Sequence, residues 1–146
     1  MVLWRISPFR DLNGKGGLLF SARWHTAGVP VVYLAESPAG ALLEICANAV
    51  AEDIPPIFTL LKVVGPDISH QEIALNDLPS SWVTGFEITR QIGTAWLRDN
   101  RSALLRVPSA LVPETANFLF NPLHPEAALF QIERNYEYPF DLRLKS

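Results

Sequence analysis

Twelve prolines are scattered through the 146 residues of this chain, and each fixes its own φ and removes a backbone donor. They punctuate the sequence into short elements. Pro8 stops an opening strand over residues 2–7, Pro55 and Pro56 end a helix, and Pro108, Pro113 and Pro122 flank short strands at 104–107 and 118–120. Pro38 instead starts a helix, because a missing N–H costs nothing at the first helical position and Ser37 before it is a good cap. Ala39, Leu42, Leu43, Cys46, Ala47 and Val50 then recur at helical spacing and predict a helix over 38–51. A second helix is predicted over 86–99, with Ile88, Ile92, Ala95 and Trp96 on one side.

Residues 18–22 and 31–35 read as short strands, and 57–64 is rich enough in β-branched and aromatic side chains to be a buried one. Residues 129–138 alternate, with Phe130, Ile132 and Tyr136 opposite Gln131, Glu133 and Glu137. The glycine-rich stretch 11–17 reads as a flexible loop, and 65–85 as turns with short helical pieces. No repeat or linker interrupts the order. The expected architecture is one α+β (mixed α/β) domain over residues 1–146, not a doubly wound sheet.

Fifteen aromatic residues are enough to build a core in a chain of this length. Cys46 stands alone, which excludes a disulfide framework and a cysteine-based zinc site. A net charge of −3 argues against a protein that wraps nucleic acid, since phosphate neutralisation needs a basic surface. With no signal-like start and no long apolar run, the expected location is the cytoplasm, away from membranes. The charge is uneven: residues 1–35 sum to +3, 36–87 to −7 and 88–146 to +1. A site joining the first two blocks combines anion binding with a carboxylate. Arginine outnumbers lysine nine to three, which suits phosphate recognition but also follows from codon preference alone.

Familiar nucleotide loops do not fit. Gly14-Lys15-Gly16-Gly17 lacks the Gly-Lys-Ser/Thr ending of a P-loop, and Leu19 stands where a dinucleotide fingerprint needs its third glycine. His25, His70 and His124 are 45 and 54 residues apart and form no helical ligand pair, so no metal site is expected. Cys46 reads as a small buried hydrophobe. Glu44 is different. At ~100° per residue it points about 130° from the centre of the apolar stripe on its helix. It is either a solvated helix glutamate or a carboxylate facing a cleft. Upstream, Arg23 stands beside Trp24, and Tyr33 lies on the following strand. Guanidinium, aromatic ring and carboxylate together suit a dinucleotide with a cationic leaving group.

Five segments in order carry a family resemblance: Ala22-Arg23-Trp24-His25, Val32-Tyr33-Leu34-Ala35, Ala41-Leu42-Leu43-Glu44, the stretch from Val107 to Pro113, and Asn121-Pro122-Leu123-His124-Pro125. Together they resemble the RES domain family over nearly the whole chain, from Arg5 to about Tyr138. That resemblance implies a toxin of a RES–Xre toxin–antitoxin module, similar in fold to ADP-ribosyltransferases, that depletes NAD+ or ADP-ribosylates a protein. It implies Arg23 on the NAD+ phosphates, Tyr33 against the nicotinamide end, Glu44 beside the ribosyl cation and Ser109 bonded to the nucleotide. Arg5 is either a further pocket residue or a surface arginine, and Ser109 beside Pro108 could equally shape a turn. Asn117, Asn121 and His124 are expected to order the following loop.

The implied partner is an Xre-type helix-turn-helix antitoxin that carries the DNA contact, with a homodimer inside that complex left open. No cofactor is expected, NAD+ being the substrate. Two positions depart from the family pattern: His25 stands where asparagine is expected after Arg-Trp, and Leu42 stands two before Glu44, where arginine-directed ADP-ribosyltransferases carry a second acid. The second departure favours water or phosphate as acceptor. A non-catalytic interaction domain is the reading of another class, separated by NAD+ turnover.

Overall fold

In the computed structural model, which describes residues 1–145, seven strands form one sheet in the order β4-β5-β6-β2-β1-β3-β7. The strands are β1 (Val2–Ile6), β2 (Val32–Ala35), β3 (Ile57–Val64), β4 (Gln71–Glu72), β5 (Leu104–Pro108), β6 (Ala116–Phe120) and β7 (Gln131–Pro139). Only β4 pairs in parallel; every other neighbour is antiparallel. The helices are α1 (Lys15–Leu19), α2 (Pro38–Asn48) and α3 (Glu87–Asp99). The α+β expectation is met. No described helix is long and apolar enough to cross a membrane.

Alternation along the strands divides the core between the two sheet faces. Phe118 and Phe120 of β6 pack on one side with Leu3, Val32, Leu34 and Phe130. Leu119, between them, packs on the other with Leu105, Val107, Trp24, Trp82 and Trp96. The sheet is not continuous in strength. β1 follows β3 through five paired residues, whereas β1 and β2 meet at a single pair, Trp4 opposite Ala35. The two halves of the sheet splay apart from that point, and α2 packs across β1 and β2.

Several local expectations need correction. Residues 18–22 are not a strand: Gly14, at φ 72°, turns the chain into α1, and only an isolated bridge joins Ala22 to His25. β2 already has β1 and β6 beside it, so no sheet edge is left there for residues 18–22. The loop over 11–17 is ordered at its start by Asp11 and Asn13, whose side chains accept from the amides of Asn13 and Lys15. α2 begins as read, with Ser37 Oγ accepting from the Gly40 amide at 2.9 Å, but ends at Asn48 and not at 51.

Its buried face is Gly40 and Ala41, while Ala39, Leu43, Ala47 and Val50 of the expected stripe are exposed and Cys46 is only half-buried. α3 likewise buries Thr89, Gly93, Trp96 and Leu97, leaving Ile88 and Ala95 exposed. The final strand starts at Gln131, and Phe130 is a core residue just before it.

Candidate functional site

A cavity of about 590 Å³ opens where β1 and β2 part. Its walls are Trp4, Arg5 and Ile6 of β1, Tyr33 of β2, Glu44 and Ile45 of α2, the turn from Ala22 to His25, and Phe86 and Arg90 at the start of α3. The volume lies within the usual range for small-molecule sites. Three guanidiniums and one carboxylate share it.

The turn bearing Arg23 is stapled to α3. Thr89 Oγ1 donates to the Arg23 carbonyl at 2.6 Å, Arg90 Nε to the Ala22 carbonyl at 2.8 Å, and the Thr26 amide to Thr94 Oγ1 at 3.0 Å. Gly93 lets the helix come this close, because a Cβ there would sit 1.7 Å from the Trp24 carbonyl oxygen. Arg23 itself donates from Nη1 to the carbonyls of Trp82, Val83 and Gly85 at 3.0–3.4 Å. Its guanidinium lies 4.5 Å from the Phe86 ring centroid, and that of Arg90 lies 4.4 Å from the same centroid. Burial lowers the Arg23 pKa; the Glu44 carboxylate works against that shift, and Arg90 adds to it.

Arg5 is a different case. It lines the cavity from β1, and its guanidinium makes no hydrogen bond or ion pair with any described residue. Burial lowers its pKa, with Asp11 the opposing influence. A half-buried guanidinium with no hydrogen-bond partner has the chemistry to take an anionic group, which would offset its desolvation.

Glu44 sits on the cavity side of α2, between solvent and core, and is held by three neutral donors. Oε1 accepts from Ser109 Oγ and from Asn117 Nδ2, both at 2.9 Å, and Oε2 accepts from Asn48 Nδ2 at 3.3 Å. Ser109 is 1% exposed, and its Oγ also accepts from the amides of Leu111 and Val112. Its hydroxyl is therefore aimed at Glu44 from behind. Asn117 was expected to order a loop; instead it lies on β6, lines the cavity and reaches the carboxylate. Asn121 and His124 do order the loop, Asn121 through Leu97, Asn100 and Leu123, and His124 by accepting from the Glu126 amide.

Tyr33 presents its ring to the cavity while its hydroxyl is engaged behind it, accepting from the Trp24 amide at 3.2 Å and bonded to His25 Nδ1 at 2.8 Å. Burial pushes the phenol well above the usual tyrosine value. His25, 1% exposed, reaches the Gly17 carbonyl with Nε2 at 3.1 Å.

Arg5, Arg23, Tyr33 and Glu44 thus come together around one cavity, with Ser109 just behind it. Arg90, Phe86 and Asn117 are additions that sequence reasoning missed; a second arginine at the N-terminal end of α3 was visible, but nothing local tied it to Arg23.

The matched region of the RES domain model runs from residue 2 to 141. A Pseudomonas putida protein named Toxin Res is 47% identical over 135 residues, 91% of this chain and 92% of that protein. A Sphingobium protein named Prs ADP-ribosylating toxin is 33% identical over 92% of this chain and 86% of its own length. Toxin Res of Photorhabdus laumondii is 32% identical over 84% and 83%. Similarity of this extent, covering every residue that surrounds the cavity, makes the chain a member of the RES domain family.

Proposed function

We propose that this protein is a toxin that cleaves the nicotinamide–ribose bond of NAD+ and passes the ADP-ribosyl group to water or phosphate. One observation carries the reading: a carboxylate braced by three neutral donors faces the same cavity as an arginine with no protein partner. The pyrophosphate lies against Arg5 and the free edge of Arg23, where planar guanidiniums match its oxygens. Tyr33 supplies apolar ring surface for the nicotinamide end. As the C1′–N bond lengthens, positive charge moves from the pyridinium to the ribose, and Glu44 stabilises it there. Nicotinamide leaves neutral, and the lone pair of water or phosphate oxygen closes on C1′, the attacking water releasing its proton to solvent.

Braced in this way, the carboxylate loses little orientation when the cation forms, which is where preorganised charge is most effective. Ser109 serves this function through Glu44. Leu42, two residues before Glu44, supplies no second acid, which favours a small acceptor. The name of the Sphingobium relative favours the second reading, ADP-ribosyl transfer to a protein. As a toxin acting on cytoplasmic NAD+, the chain pairs with an antitoxin of the Xre type, and the antitoxin carries any DNA contact. Products of NAD+ incubated with purified protein, with and without phosphate, test the proposal. Nicotinamide with ADP-ribose or its 1″-phosphate is expected; label appearing only in protein moves the function to the second reading, and no turnover refutes both.

A further inference from the structure

Three groups meet behind Arg23, and their proton positions follow from what each can accept. The Gly17 carbonyl only accepts, so the proton on His25 sits at Nε2, 3.1 Å away. With Nε2 protonated and the ring neutral, Nδ1 is an acceptor, so the Tyr33 hydroxyl donates to it across 2.8 Å. The same hydroxyl oxygen then accepts from the Trp24 amide, the residue next to Arg23. The Phe20 carbonyl is a second backbone acceptor beside the ring. The chain of bonds runs from the middle of α1 through His25 and Tyr33 to the backbone of the turn that carries Arg23.

We propose that His25 is a positioning residue of the nucleotide site, fixing the turn at Trp24, and hence Arg23, through the proton it accepts from Tyr33. This rests on the NAD+ reading of the cavity. Without an acceptor at Nδ1 the Tyr33 proton has no fixed direction, and the hydroxyl no longer has its lone pair held toward the Trp24 amide. Thr89 and Arg90 hold the turn at Arg23 and Ala22; Tyr33 holds it from the opposite side, at Trp24. Two-sided support is what a guanidinium needs to meet a phosphate in one orientation. His25 is the ring that spans from Tyr33 to α1.

Tyr33→Phe removes one oxygen and is the deciding variant; His25→Phe removes both ring nitrogens, and His25→Asn restores an acceptor. For folded Tyr33→Phe and His25→Phe, the KM for NAD+ rises about tenfold or more while kcat changes less, because phosphate contacts act in ground and transition state alike. His25→Asn recovers most of that KM. A folded Tyr33→Phe with wild-type KM overturns the proposal, as does a lower melting temperature with KM unchanged. If wild-type protein neither binds nor consumes NAD+, the substrate reading fails by itself. Hydrogen exchange of the Trp24 amide then decides: acceleration by about tenfold or more in Tyr33→Phe supports the relay, and unchanged exchange refutes it.

Discussion

At the scale of single residues, the site separates charge from geometry. Glu44 brings the charge, and Ser109, Asn117 and Asn48 aim it without adding any of their own. Glu44→Gln keeps an amide oxygen for Ser109 and Asn117, so its melting temperature should stay close to wild type. Its turnover should fall by roughly 10²–10³, the scale for losing one preorganised electrostatic group. A folded variant with ordinary NAD+ consumption rules Glu44 out. Arg23→Lys is expected to raise KM by about tenfold or more, because an ammonium cannot engage the loop carbonyls and a phosphate in one plane.

His25 also makes stability depend on pH. Desolvation by burial holds its pKa below the ordinary histidine value, Arg90 adds to this, and the Gly17 and Phe20 carbonyls oppose it. Tyr33 is the other titratable group facing the ring, and it stays neutral. Upon acidification the unfolded chain therefore takes up this proton first, from about pH 6.5 downward. Stability is full above that value and declines as pH falls toward the folded pKa. Urea midpoints measured between pH 7.5 and 5 should show this decline in the wild type and a shallower one in His25→Asn; identical slopes would show that His25 does not contribute.

Elements were legible where periodicity and caps agreed and illegible where the partner decided. α2 and α3 are placed from Ser37, Pro38 and the helical spacing of apolar side chains; the buried face of α2 differs from the expected stripe, whereas that of α3 holds for Trp96 and Ile92 but not for Ile88 and Ala95. In α2 only Gly40 and Ala41 are fully buried, Leu42, Ile45 and Cys46 are half-buried, and Ala39, Leu43 and Ala47 face solvent. Residues 18–22 read as a strand because Leu18 and Leu19 fit either element, and the decision belongs to Gly14 and to the absence of a sheet edge.

Arg23, Tyr33 and Glu44 were legible because chemistry and family pattern coincide there. Asn117 and Arg90 were not, since each acts across more than 65 residues of sequence. The contact of α3 with the arginine turn yields its own prediction. Gly93→Ala gains about 1 kcal/mol of helix propensity. It must also move the Trp24 carbonyl away from a Cβ at 1.7 Å, an overpacking that costs ~1–3 kcal/mol or more. The steric cost wins: Gly93→Ala should lower the melting temperature and raise KM together. A thermally stabilised variant with unchanged KM would show that α3 and the turn are not mechanically joined.

For the molecule as a whole, the splayed sheet is the decisive feature. A single β1–β2 pair at Trp4 and Ala35 leaves room for a cavity inside a 146-residue chain, and it brings the positive block at the N-terminus against the negative block that follows. Glu44 is the acid of that second block which reaches the cavity; Glu36 instead meets Arg106 and the Ala116 amide, and Glu72 also meets Arg106. Among the described residues no group of three His, Cys, Asp or Glu side chains is placed to hold a metal ion. The proposed reaction makes no such demand either: the cationic pyridinium leaves the ribose as neutral nicotinamide, so one carboxylate with an oriented substrate would suffice to lower the barrier. NAD+ consumption should therefore survive exhaustive dialysis against EDTA with kcat and KM unchanged. Loss of activity on chelation, restored by a divalent ion, would place the catalytic charge on a metal and leave Glu44 as its ligand.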